Sequence, residues 1–423
     1  MATQLKPTVL HAWHLAHGAK MESFGGYHMP LWYSSAKNEH LSVLTHAGLF
    51  DTSHMAVLLI SGSGAHDLLQ SAFTQNLDAC IGAGRVPLSA GRCVYGAFLN
   101  SKGEVIDDSI VYKLAADRYM AVVNAGMGPA VARHLEDQRE GRHVQIRDMS
   151  DQLGKIDIQG PQSCRILSKL VMDPAIVFSK LPYFAFRGHF DAAIAGTGTV
   201  RLRNGAAILL SRTGYTGEFG FEIFLDPAHV LDTWELLLET GLSVNLVPCG
   251  LAARDSLRAG AVLPLSHQDI GPWPFVRHPW RFALPYNGDN GTFTKAFIGS
   301  AALLAQAQVG YTYAFVGQDP RKVSGADPTA VLDAQGRTIG RVLTCVTDMG
   351  IGLVDGRVVS IASPDKPSGF VPKGLCCGFV KVDSSLAFND RIQIKDNRRT
   401  LEVTIVSDIR PDRTGRKPLR EML

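Results

Sequence analysis

The chain has 423 residues, 46% of them hydrophobic and 19% charged, with a formal net charge of +3 at pH 7. That length exceeds the roughly 100–200 residues of one domain, and the balance of apolar and charged residues excludes extended disorder. A charge this small, without a concentrated basic face, excludes nucleic acid and membrane surfaces as expected partners, and no stretch approaches the ~20 apolar residues of a membrane span.

In chain order, Ser34 to His46 reads as a helix with serine capping before it and Gly48 as its stop. Met55 to Ser61 is strand-like, and Gly64 to Phe73 has helical spacing. Cys93 to Leu99, the turn NSKGE and Val105 to Tyr112 (VIDDSIVY) together form a hairpin signal, which sets Asp107 and Asp108 near the start of the returning strand. Tyr119 to Asn124 predicts a strand and Gly128 to Glu136 a helix. Further strands are expected at Lys155–Ile158, Ala207–Ser211 and Phe221–Leu225, and helices at Pro161–Leu170, Ala228–Glu239 and Leu251–Ala259. Strands, helices and hairpins mixed in this way predict an α+β fold. Beyond about residue 310 the runs are short, β-rich and divided by Gly, Pro, Asp and Asn, which predicts a small sandwich or barrel. The expected division is therefore 1–305 and 306–423.

The seven cysteines show neither zinc-knuckle nor Cys-x-x-Cys spacing, and their odd number fits reduced thiols in the cytoplasm. The N-terminal residues lack the apolar core of a secretory signal. No P-loop, Gly-x-Ser-x-Gly or His-Glu-x-x-His is present. His11 and His14 have a spacing that suits a metal on one helix face, but they lack a third ligand, so no metal is expected. Arg410, Arg413, Arg416, Lys417 and Arg420 form a basic run broken by Asp412 and Glu421, which reads as a solvated tail.

The candidate site residues are polar groups inside apolar strands. Strand alternation puts Asp107 with Val105 and Ser109 on one face and Asp108 on the other, so the two carboxylates are not expected to serve one site. From pattern alone, each either closes the hairpin, meets a neighbouring Arg, or belongs to a site. In SRTGYTGEFGFEIF, glycines at 214, 217 and 220 allow tight turning and close approach of a planar ligand, and Tyr215 offers a stacking face. Glu222 lies in the apolar run FEIF and needs a partner. Either it pairs with Arg254 or Arg258, or it makes a bidentate grip on a heterocycle with adjacent N–H donors.

Ten blocks in order, Gly18-Ala-Lys-Met21, FGGYHMPLWY, Glu39-His40, GLFDTSHM, YGAFLNSKGEVIDDSIVY, VVNA, Gln159-Gly-Pro161, RTGYTGEFGFEI, PCGLAARDSLR and Phe297-Ile-Gly299, run along most of the chain. Together they resemble the T-protein (aminomethyltransferase) family of the glycine cleavage system. The resemblance implies a three-domain cloverleaf around a central folate cavity, with a C-terminal β-barrel. It implies that Asp107 faces the reacting nitrogens of tetrahydrofolate, that Glu222 holds the pterin, and that Met55, Tyr95, Asn124, Tyr215 and Arg254 surround the same cavity. The implied reaction moves a methylene from the aminomethyl-lipoyl arm of H-protein to tetrahydrofolate with release of ammonia, and the implied partner is a lipoylated H-protein. An aspartate titrating near ~4 is a poor base at neutral pH, so electrostatic stabilisation of the developing iminium charge is the expected role of Asp107.

The sequence departs from the family pattern after PCGLAARDSLR. Gly260 stands for a Glu, Ser266 for a Tyr and His267 for a Gly, and Thr344 to Gly352 (TCVTDMGIG) replaces a Ser-Gly…Ser-Pro element. The stretch from Gly271 to residue 290 is longer than a minimal family member needs. Its Trp273, Phe275, Trp280 and Phe282 either line a substrate entrance or pack a long loop. Two alternative functions follow: a folate-dependent demethylase of a sulfonium, ammonium or methoxy donor, for which aromatic side chains suit a cationic methyl group, and a non-enzymatic folate-binding protein.

Overall fold

The computed structural model describes residues 4–191, 198–289, 291–305, 310–324 and 328–423. Two sheets and a barrel organise the chain. The first sheet is antiparallel and has five strands in the order Arg92–Leu99, Val105–Ala115, Arg118–Val123, Ala56–Ser61 and Gln145–Asp148. A second sheet runs Phe186–Gly188, Ala207–Ser211, Gly220–Leu225, Gly154–Gln159, Ala47–Asp51 and Leu246–Pro248, with Val200–Arg201 added beside Ala207–Ser211. The chain lays down Ala47–Asp51 of the second sheet, builds the whole first sheet, and then returns to pair Gly154–Gln159 with that early strand. The two α+β units are therefore interleaved in sequence.

Six strands from Tyr311–Gly317 to Thr400–Val406 close into an antiparallel barrel. Alternation of buried and exposed residues, clearest in Arg391–Lys395, follows the period of two expected when one strand face fills a barrel interior. Residues 306–309, where the domain boundary is expected, lie outside the described residues.

Local expectations held where pattern and burial agree. The helix Ala36–Thr45 is capped by Ser35, whose side chain accepts from the Asn38 N–H. Gly48 does not stop it: the helix ends three residues earlier, and Gly48 lies inside the strand Ala47–Asp51. His11 and His14 do sit on one short helix, His11–Ala16, but His14 bonds Asp51 at 3.0 Å and the Tyr33 hydroxyl at 2.8 Å, while His11 meets His28 at 2.9 Å.

The three units share cores. Tyr112, Met120 and Val122 of the first sheet pack with Phe186, Leu209 and Phe224 of the second. Ala97 and Leu99 pack with Phe275 and Trp280 of the long loop and with Ala314 and Phe379 of the barrel.

The C-terminal segment corrects the solvated-tail reading. Arg410 is fully buried, donates to Glu218 at 3.2 Å and to the Leu257 carbonyl at 3.2 Å, and pairs with Asp348 of the barrel. His40 donates to the other Asp348 oxygen at 2.9 Å. A guanidinium with two buried carboxylates satisfies the pairing that buried charge demands, so this part of the tail is structural. Gly260 is what makes room: a Cβ there would meet Asp348 Oδ2 at 1.8 Å. Replacing Arg410 by Met should leave Asp348 and Glu218 buried without a cation and cost about 3–5 kcal/mol, read as a lowered urea midpoint. An unchanged midpoint would remove this junction from the account.

Candidate active site

Asp107 sits at an irregularity in the hairpin. Phe98 pairs with Asp107 and Leu99 with Val105, so Ile106 is an extra residue on its strand, a bulge of the kind that re-aims side chains. The Asp107 carboxylate is fully buried. It accepts the Asn124 backbone N–H at 2.8 Å, the Asn124 side-chain amide at 2.9 Å and the Ser266 hydroxyl at 2.9 Å, and His267 Nε2 lies 3.5 Å away.

The same Asn124 amide donates to Asp108 at 2.6 Å, and the Tyr95 hydroxyl donates to Asp108 at 2.7 Å. The expectation that the two carboxylates cannot serve one site is therefore wrong. Alternation fixes where the Cβ atoms point, but Asn124 follows the last residue of the neighbouring strand, and from that end its amide reaches around to both. Asp108, ordinarily near 3.8, is pushed up to about 6, by burial first and by the Asp107 charge second. The Asp107 contact, working against partial burial, raises the His267 imidazole above its ordinary value.

A second polar group lies on the second sheet. Register places Glu222 directly opposite Asp157, two carboxylates in a fully buried ladder that would repel if left alone. Lys155, two residues before Asp157 on the same face, supplies a cation to both, at 2.5 Å from Asp157 and 3.1 Å from Glu222. Arg254 adds a second cation to Asp157 at 3.0 Å. Burial pushes Asp157 up, but Lys155 and then Arg254 outweigh it and hold the carboxyl below its ordinary value.

Neither Arg254 nor Arg258 pairs with Glu222, as one sequence reading expected; Arg258 is committed to Asp255 and Asp269. The other Glu222 oxygen accepts from Thr213 at 2.7 Å and Tyr112 at 3.3 Å. A carboxylate has about four acceptor positions, so three partners leave room for a single further donor, not for a bidentate grip. His54 lies fully buried near these groups, pushed down to about 3 by burial and then by Arg254, and its Nδ1 has no hydrogen-bond partner.

Burial raises the Tyr215 phenol above its ordinary value, with Arg258 working against that rise and Asp108 adding to it. Its hydroxyl donates to the Pro264 carbonyl, and the Arg254 guanidinium lies 4.8 Å from its ring centre, which occupies one stacking face. Of the three glycines flanking it, Gly217 needs the left-handed backbone, at φ +77°, whereas Gly214 and Gly220 clear space for the Gln159 side chain rather than for a ligand. Met55 packs against the core between the sheets that includes Tyr112.

A model of the GCVT N-terminal domain matches residues 10–273, more than half of the chain. An aminomethyltransferase of Streptomyces coelicolor is 34% identical over 315 residues, covering 73% of this chain and 75% of that protein. One of Staphylococcus carnosus is 35% identical over 353 residues, covering 81% and 86%. The crystal structure of the glycine cleavage system aminomethyltransferase T from Bartonella henselae superposes with a TM-score of 0.74 at 27% identity, across 95% of this chain and 97% of that one. The chain belongs to the T-protein (aminomethyltransferase) family. It is accordingly an enzyme of the aminomethyltransferase class, with the two α+β units and C-terminal barrel of its T-protein relative.

Asp107, Tyr95 and Asn124 form one cluster, Glu222 and Arg254 belong to another linked through Asp157 and Lys155, and Tyr215 lies against Arg254 of the second. Sequence reasoning missed Asp108, Lys155, Asp157 and the contributions of Ser266 and His267. A signal for two of these was present: charges at 155 and 157 with strand spacing inside GKIDIQ imply buried charge in need of partners. The aromatic stretch divides. Phe275 and Trp280 are buried core residues, Trp273 is flanked by Arg341 and Lys381, and Phe282 stays 52% exposed with its ring centre 5.6 Å from that of Tyr95. Among the described residues no group of three or more His, Cys, Asp or Glu is arranged to hold a metal, and no helix is long and apolar enough to cross a membrane.

Asp108 gives a pH test. Because its folded value is raised, the stability it contributes is complete below about 3.8 and is lost as pH rises through about 6. Asp108→Asn, which cannot ionise, should gain on wild type across that window and hold a constant advantage above it. Thermal melts of both proteins at intervals from pH 4 to 7 measure this, and parallel curves would show that Asp108 is not strained by ionisation.

Proposed function

We propose that this enzyme transfers a methylene group from the aminomethyl-lipoyl arm of an H-protein to tetrahydrofolate, with release of ammonia. The observation that carries the reading is the Asp107 carboxylate, buried and oriented by three donors within a chain of the T-protein family. A carboxylate fixed in this way needs no reorganisation when positive charge develops at the transferred carbon, which is the condition for electrostatic catalysis. Tyr95 and Asn124 set its surroundings. Glu222 offers its one remaining acceptor position to the pterin, and Met55, Tyr215 and Arg254 flank the same ligand.

The folate-binding region is assigned to residues 1–305 and the barrel domain to residues 306–423. All seven cysteines are free, which supports a reducing compartment such as the cytoplasm. Phe282, half-exposed against Tyr95, is the observation that favours the demethylase reading, since an aromatic face suits a cationic methyl donor.

The test is incubation with tetrahydrofolate and aminomethyl-lipoyl H-protein while ammonia and the folate product are followed. Methylenetetrahydrofolate with ammonia is the expected outcome; methyltetrahydrofolate formed from a methylated donor would replace the reading with demethylation. Asp107→Asn should still bind tetrahydrofolate and lose about 10²–10³-fold in turnover. Full activity in that variant would remove Asp107 from the chemistry.

A further inference from the structure

His267 is an exposed histidine held in a left-handed backbone conformation, at φ +64°. That conformation carries a penalty for any side chain and none for glycine, and such strain persists only where the surroundings over-determine it. Here they do. The buried Asp269 carboxylate accepts the Leu265 N–H at 3.0 Å, its own N–H donates to the Leu265 carbonyl at 2.9 Å, and it is anchored by Arg258 and by the Thr344 hydroxyl at 2.6 Å. Ser266 and Ile270 close the loop with a bridge. The result is a rigid turn that presents two consecutive side chains to one acceptor: the Ser266 hydroxyl at 2.9 Å and the His267 Nε2 at 3.5 Å from the same oxygen of Asp107.

The two residues face the carboxylate differently. Ser266 is buried, whereas the His267 side chain is 50% exposed, so one end of the imidazole meets Asp107 and the rest meets water. The charges that act on it are those of Asp107 and then Asp108, both on the strand Val105–Ala115. Tyr95, on the adjacent strand, spends its hydroxyl on Asp108, and Asp269 in the same loop is directed to Arg258 and Thr344. The imidazole thus meets Asp107 at one end and open solvent at the other.

We propose that His267 is the proton-transfer partner of Asp107, moving protons between the nitrogens that react at that carboxylate and bulk water. The role rests on the one-carbon transfer proposed above. In that reaction two C–N bonds form at the folate nitrogens, each of which loses its proton. The donor's C–N and C–S bonds break with their electron pairs going to nitrogen and sulfur, which take up two protons and leave as ammonia and thiol. No proton is gained or lost overall, yet protons must cross the site. An imidazole 3.5 Å from the carboxylate and open to water on its far side can accept one and return another.

The test uses the full-length enzyme with His267→Gly and His267→Gln. His267→Gly relieves the left-handed strain and should melt no lower than wild type, so a loss of activity cannot be a folding defect. Its turnover is expected to fall about 10²-fold, with the histidine limb gone from the pH–rate profile and with partial recovery on adding free imidazole. His267→Gln should behave in the same way without recovery. Unchanged turnover and an unchanged profile in His267→Gly would overturn the proposal. An independent readout is the NMR titration of the His267 ring proton, which should sit above the usual histidine range in wild type and fall toward it in Asp107→Asn. A titration indifferent to Asp107→Asn overturns the coupling on which the role depends. If wild type turns over neither donor class, the reaction reading fails and takes this role with it, whereas intact coupling with equal turnover overturns the role alone.

Discussion

The buried ion pair between Arg410 and Asp348 is the constraint on which the arrangement of the three units depends. It joins the segment after the last barrel strand to the barrel itself, and through Glu218, the Leu257 carbonyl and His40 it reaches the glycine-rich loop, the helix Leu251–Gly260 and the helix Ala36–Thr45. Water cannot take over any of these contacts, so the guanidinium must keep all of them together. The departure at Gly260 acquires a physical meaning here: the space of a side chain on the helix is filled by a carboxylate sent across from the barrel. A second clamp, Arg258 with Asp269 and Thr344, ties the end of that helix to the barrel and fixes the loop that carries Ser266 and His267.

With those clamps in place, two acidic pairs are managed in opposite ways. Asp157 and Glu222 face each other across a ladder and are neutralised by Lys155 and Arg254, so their charge is confined. Asp107 and Asp108 have no lysine or arginine among the hydrogen bonds described for them; they are held by an amide, two hydroxyls and a backbone N–H, and the His267 imidazole lies 3.5 Å from Asp107. The first arrangement stiffens the structure. The second leaves the unneutralised charge of a fully buried Asp107, in a setting where a developing positive charge is stabilised more than it would be in water.

Much of the fold was legible in the sequence because local signals and burial pointed the same way. The strand Ala207–Ser211 falls where its apolar run predicts, and the barrel follows from the short β-rich runs near the C-terminus. Short elements such as Leu246–Pro248 and Ala330–Leu332 were not legible, since three residues held by a neighbouring strand carry no period of their own. The basic C-terminal run was misread because composition describes solvation only where no buried carboxylate waits for the charge.

The sequence by itself determined the family, the α+β character, and Asp107 and Glu222 as the residues to watch, because ordered motifs and charges in apolar strands are properties of the chain alone. Only the tertiary structure decided which groups surround them. Lys155 meets Glu222 through strand register, Ser266 and His267 reach Asp107 from a loop 159 positions away in sequence, and a bulge with one shared amide turns an alternating acidic pair into a single cluster. Those outcomes depend on register and on long-range packing, which the order of residues constrains but does not display.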